Sequence, residues 1–193
     1  MLDKKLLKKV KETSATLMRS RRELQGISSE ILGASKRAIF AVQRDDLAGS
    51  KKELSGASTL IKNGRKVITR NKRLESEGMW RAALEEFAEA SLYHAAIDGK
   101  MIGALPEIPQ EETDTYIGAL SDLSGELTRS CVLAATKRDT KEVERLSVLV
   151  REIVAYLLQL DLTGNLRQKF DQAKQNLRKV EEIAFNLSIH AGR

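Results

Sequence analysis

Proline occurs only twice in this 193-residue chain, at Pro106 and Pro109. Proline breaks helices and strands alike, and it restrains the residue before it. Everything outside GALPEIPQEE is therefore free to form long uninterrupted elements, and those stretches are rich in the strong helix formers Ala, Leu, Glu, Lys and Arg. The expected fold class is all-α: an antiparallel bundle of six to seven long helices forming one domain over residues 1–193. With 41% hydrophobic and 31% charged residues, the chain can bury a core without disulfides or structural metals.

Periodicity places the helices. Leu6, Val10, Leu17, Leu24, Ile31, Ala38 and Val42 keep helical spacing from about Leu2 to Gln43. Asp45 and Asp46 can cap a second helix over Leu47 to Arg70. A third is expected from Lys72 to Asp98, stopping at Gly99. A fourth is expected from Glu112 to Lys137, and a fifth from a Thr140 cap to Leu160. The last starts after Thr163-Gly164-Asn165 and carries the stripe Phe170, Ala173, Leu177, Val180, Ala184, Leu187 as far as His190. Apolar residues occupy nearly every side of the fifth helix, Leu146 to Leu160. Such a helix is either central in a bundle or covered by another subunit.

The net charge is +6, which favours polyanionic partners, nucleic acid ahead of an anionic membrane. A lone Cys131 leaves no intramolecular disulfide and fits a reducing cytoplasm. The start MLDKKLLKKV has no apolar signal-peptide core, and no apolar run is long enough to span a membrane. The two histidines, His94 and His190, with one cysteine make a His–Cys zinc site improbable. A ferritin-like di-iron centre needs Glu-x-x-His pairs that are missing here, and no glycine-rich phosphate loop occurs.

Carboxylates are the remaining route to chemistry. Glu86 and Glu89 share one face of the third helix with Ala82, Tyr93, Ala96 and Ile97; Asp122 and Glu126 share one face of the fourth with Ala119 and Leu133. Acids among small and apolar neighbours require a compensating cation. If the two helices face each other, four carboxylates converge on an oxygen-rich site suited to Mg²⁺ or Mn²⁺. On spacing alone a second reading stays open, in which the acids are solvated or salt-bridged, Glu126 for instance with Arg129. His94 lies about 140° round the helix from Glu89 and is not a co-ligand. Trp80, at helical spacing with Leu84 and Phe87, reads as core rather than as a base-stacking platform. Arg19, Arg21, Arg22, Lys36 and Arg37 either line a nucleic-acid path or form a solvated face.

Several segments resemble the TRAX branch of the translin family: SKRAIFAVQR (Ser35 to Arg44), EEFAEA (Glu85 to Ala90), YIGALSDLSGELTR (Tyr116 to Arg129) and LRQKFDQAKQNLRKVEEIAFNLSIHAGR from Leu166 onward. The resemblance runs in order through most of the chain and implies a seven-helix bundle. It also implies that Glu86, Glu89, Asp122 and Glu126 hold a catalytic Mg²⁺ or Mn²⁺. Translin itself resembles the chain elsewhere but lacks counterparts of Glu86, Glu89 and Asp122, so these acids point to the catalytic branch. The implied activity is metal-dependent endoribonuclease cleavage of single-stranded RNA; the alternative is a non-catalytic translin-like binder of single-stranded RNA or DNA. The implied assembly is a homo-oligomeric shell, an octamer foremost, with no separate translin partner. Lys36, Arg37, Arg19, Arg22 and Arg129 are the candidate RNA contacts, Lys36 and Arg37 lying within the SKRAIF match. Eukaryotic TRAX has a longer N-terminal extension, a longer insertion before the fourth helix and a C-terminal tail, so a compact, archaeal-type member is expected.

Overall fold

The computed structural model describes residues 2–191, without the side chains of His190 and Ala191. It comprises six α-helices and one short 3₁₀ segment: α1 Lys4–Val42, α2 Leu47–Arg70, the 3₁₀ turn Lys72–Ser76, α3 Gly78–Ile97, α4 Thr113–Thr136, α5 Thr140–Leu157 and α6 Gly164–Ala191. The described residues contain no strand. The helix starts follow from local chemistry. Asp3 accepts from the Lys5 and Leu6 amides, Asp46 from the Gly49 amide and Asp139 from the Glu142 amide, each relieving orphan N–H groups of a first turn. Asp46 thus caps α2 while Asp45 takes a left-handed turn conformation, and Asp139 replaces the expected Thr140 as cap of α5. Gly99, with φ of 69°, ends α3 as anticipated. The expected third helix is broken at Glu77, because Asn71 starts a separate 3₁₀ turn whose Leu74 is fully buried.

Short connections give antiparallel neighbours. Arg37 pairs with Glu53 and Glu23 with Arg70, so α1 and α2 run in opposite directions. The proline-bearing segment 98–112 has a different effect: it carries the chain back so that α3 and α4 lie side by side in the same direction. Glu85 lies against Gly118, and one helical stretch later Tyr93 Oη meets Ser130 Oγ at 2.7 Å. α4 and α6 are parallel too, as the contacts of Asp122 with Lys169 and Ser124 with Asn176 show. The bundle is antiparallel only across its short turns.

α1, α2 and α3 pack into one half and α4, α5 and α6 into the other, joined along α3 and α4. Trp80 is core, as its spacing predicted. It is 1% exposed and fits because Gly64 has no side chain; a Cβ there would overlap the indole edge. α5 is not a central helix. Leu146, Val150, Ile153, Val154 and Leu157 are buried against its neighbours, while Val148, Tyr156 and Leu158 lie exposed on the outer side. The first turns of α1 also stand clear of the core, with Leu2, Leu6, Leu7 and Val10 exposed.

Candidate active site

The parallel pairing of α3 and α4 decides the site. Glu86 and Glu89 project from α3, and Asp122 and Glu126 from α4, each half-buried. Their mutual influence is read in their protonation. Burial, first, and then the negative charges of Asp122, Glu86 and Glu126 push the Glu89 carboxyl up to about 8. Burial also raises Glu86; Lys36 pulls the other way, Asp122 pushes up again, Lys169 opposes and Glu126 adds a smaller push. The four acids chosen from helical spacing therefore form one electrostatic unit.

Other elements supply polar partners that spacing did not single out. Gln43 at the C-terminal cap of α1 donates from Nε2 to Glu126 Oε2 at 2.6 Å. Lys169 on α6 reaches between the two acidic helices, with Nζ 2.8 Å from Glu85 Oε1 and also bonded to Asp122. Burial works against its charge, but the bonds to Asp122 and Glu85 more than offset that and hold the ammonium above its ordinary range. Glu85 can lie across α4 only because residue 118 is glycine: a Cβ there would overlap the carboxylate and come within 3.1 Å of Glu85 Cγ. Asn176, two turns beyond Lys169, donates to Ser124 Oγ at 2.9 Å. Lys169, Ala173, Asn176 and Val180 make up the side of α6 turned to α4, so a polar residue at each of two helical positions beside a buried apolar stripe was the available signal.

The basic candidates separate. Lys36 is exposed on α1, and its charge acts directly on Glu86. Arg37, one residue on, is held by Glu53 at 2.9 Å in an exposed pair. Arg129 is exposed and makes no ion pair among the described residues, so Glu126 is held by Gln43 rather than by Arg129. Arg19 and Arg22 are exposed about 20–25 Å along α1 from Lys36 and lie outside the acid site. Arg21 is tied to Glu77 at 2.8 Å. His94 turns away, its Nδ1 3.1 Å from Ser50 Oγ, while His190 falls outside the described side chains.

The donor set is all carboxylate oxygen, the chemistry preferred by Mg²⁺ and Mn²⁺. The charge balance fits as well, since a dication would restore the ionised form that burial and crowding deny Glu89. Among the described residues, however, no three His, Cys, Asp or Glu side chains are closed around one point at ligating distance. Asp122 is instead engaged by an ammonium.

Comparison with known proteins agrees with this architecture. Residues 19–191 match the translin family. An uncharacterized protein of Methanocaldococcus jannaschii is 32% identical over 166 residues, covering 83% of this chain and 72% of that protein. Translin of Gallus gallus is 29% identical over 79 residues, covering 40% of this chain and 34% of its own length. Solved structures share the fold: AfC3PO at TM-score 0.87 with 19% identity, over 97% of this chain and 99% of that one, and apo-NeC3PO at 0.82 with 21%, over 97% and 98%. A complex of AfC3PO with duplex RNA aligns at 0.83 with 19% identity, over 95% and 97%. On the family match and the archaeal relative together, the chain belongs to the translin family.

Proposed function

We propose that this protein is the TRAX-like, catalytic kind of translin-family member: a divalent-metal-dependent endoribonuclease subunit. One observation carries the reading. Four half-buried carboxylates from two parallel helices share one region, where burial first and then the neighbouring negative charges push Glu89 up to about 8, the kind of perturbation found at functional sites. Glu86, Glu89, Asp122 and Glu126 would hold Mg²⁺ or Mn²⁺. Such an ion, when bound, supplies an activated water and stabilises charge on a phosphodiester in the transition state. The chain's own groups do the rest. Gln43 fixes the orientation of Glu126, Lys36 offers a cation at the rim for an incoming phosphate, and exposed Arg129 and Arg37 extend the positive surface on either side.

RNA as the polyanion is supported by the +6 charge and by the fold shared with a protein solved with duplex RNA. We assign cleavage to single-stranded RNA, since a scissile phosphate must reach half-buried acids between helices. The subunits are proposed to form a homo-octameric shell without a separate translin partner. The exposed Val148, Tyr156 and Leu158 on the outer side of α5 support an interface there. No helix among the described residues is long and apolar enough to cross a membrane, and the lone, buried Cys131 suits a reducing, cytoplasmic setting.

A second reading, a binder of single-stranded RNA or DNA without catalysis, is favoured by one fact: Lys169 already neutralises Asp122, so the acids do not need a metal to be tolerated. End-labelled single-stranded and duplex RNA incubated with Mg²⁺, Mn²⁺ or chelator separates the two. Metal-dependent cleavage by the wild type and none by Asp122→Asn supports the enzyme; retention of RNA without cleavage in any metal supports the binder.

A further inference from the structure

We propose that Lys169 is a tethered cation that competes with the divalent ion for Asp122 and withdraws onto Glu85 when that ion binds. The inference rests on the metal reading above and goes beyond it. Glu85 lies next to the paired acids and was not among the residues expected to hold metal. Lys169 belongs to α6, a third helix that contributes none of the four acids. Its side chain is 20% exposed and is bonded at once to Glu85 and to Asp122. No other basic side chain is bonded to Glu85, Glu86, Glu89, Asp122 or Glu126 among the described residues.

Three features make this a built position. Gly118 leaves the space that Glu85 occupies against α4, so the second anchor of Lys169 depends on a missing side chain. Asn176 and Ser124 fasten α6 to α4 two turns away and fix the distance the lysine must span. Ala173, fully buried between them, lets the two helices approach closely.

The consequence follows from charge. Without metal, five carboxylates share this region, and the ammonium offsets the repulsion between α3 and α4. A dication at Asp122 and an ammonium on the same carboxylate repel each other, so binding of the ion favours the lysine's other anchor. Lys169 then has Glu85 as a ready partner within the reach of its flexible stem. It acts through Asp122 and is a positioning residue. It keeps the metal-free bundle closed and sets how tightly a divalent ion is held.

The test is Mn²⁺ binding to the full chain without RNA, followed by the loss of the free-ion paramagnetic signal, with thermal unfolding recorded on the same samples. Lys169→Met should bind Mn²⁺ about tenfold more tightly than wild type, and its metal-free Tm should fall while saturating Mn²⁺ restores it. Lys169→Gln should behave alike and covers the case in which the methionine variant does not fold. Lys169→Arg keeps the charge and should not tighten binding. Lys36→Met removes a nearby charge that makes no bond to an acid and should change affinity less. Unchanged or weaker binding by both Lys169→Met and Lys169→Gln, beside wild-type binding that Asp122→Asn abolishes, would overturn the competition and leave the metal reading intact. Absence of Mn²⁺ binding in wild type and in both neutral variants would overturn both.

Discussion

Gln43, the residue that ends α1, donates its side-chain amide to Glu126 in the middle of α4, 83 positions later in the chain, at 2.6 Å. The bond ties one of the four acids to the helix that also bears Lys36. It links the first helix of one half of the bundle to the first helix of the other, so the geometry of the acid site depends on the two halves staying docked.

Gln43→Ala should therefore loosen Glu126 without unfolding the protein. A part-buried hydrogen bond to a charged group contributes about 1.5–3 kcal/mol, so we expect a modest loss of thermal stability. Cleavage of RNA should fall by roughly tenfold, with the metal dependence retained. Steady-state rates against Mg²⁺ concentration check this; an unaltered rate would remove Gln43 from the site.

The pH dependence of stability follows from Glu89. Its carboxyl is raised above its unfolded value, to about 8, so the folded state holds a proton that the unfolded chain releases. Stability of the metal-free protein should then fall as pH rises from about 5 to about 8, by at most on the order of 3 kcal/mol. Glu89→Gln should flatten that fall, and so should saturating Mg²⁺. At neutral pH, metal binding should release close to one proton in wild type and clearly fewer in Glu89→Gln. Calorimetry in buffers of different ionisation enthalpy measures this.

Much of the frame was legible in the sequence because its signals are local. The apolar stripe of α6, the capping aspartates and the scarcity of proline are each read within a few turns of chain. Glu86, Glu89, Asp122 and Glu126 could be picked out as candidates in the same way, as pairs at helical spacing among small residues. Spacing alone left them equally readable as solvated or salt-bridged acids, and the family resemblance made the choice. What was not legible is non-local. Nothing within α3 or α4 says that they run parallel, because that depends on the path of segment 98–112. Lys169, Glu85 and Gln43 look like ordinary surface residues until three helices meet. The missing side chain at Gly118 acquires its role only once Glu85 lies over it.

Gly118→Ala should disturb Glu85 while leaving the four candidate ligands in place. The added methyl overlaps the Glu85 carboxylate, which must swing away and release Lys169 from one anchor. α4 gains helix propensity of up to about 1 kcal/mol from the change, so the fold should survive. We expect a variant of near wild-type Tm with altered Mn²⁺ affinity. A wild-type affinity would show that the Glu85 anchor is dispensable.

RNA affinity should be strongly salt-dependent if exposed cations carry it. Engagement of about three phosphates by Lys36, Arg37 and Arg129 should weaken single-strand binding roughly 20-fold between about 50 and 200 mM salt. Lys36→Ala and Arg129→Ala should each reduce the slope, whereas Arg19→Ala and Arg22→Ala, far along α1, should leave it nearly unchanged. Fluorescence anisotropy across a salt titration measures this; equal effects of all four substitutions would disperse the binding surface along the helix.

Assembly should depend on the outer side of α5. Tyr156→Glu with Leu158→Glu places charge on exposed apolar positions on the outer side of α5. Light scattering of the wild type at low micromolar concentration should give the mass of an octamer, and the double variant a smaller species with unchanged helicity. A monomeric wild type would remove the shell.

The most direct measurement is cleavage of an end-labelled single-stranded RNA by the purified protein with Mg²⁺, beside the same reaction with excess chelator and with Asp122→Asn or Glu86→Gln. The expected result is internal cleavage with Mg²⁺, none with chelator, and a loss of roughly 100-fold or more in either variant, with the fold intact by circular dichroism. Cleavage at the wild-type rate by both variants, or undiminished cleavage in chelator, would contradict it.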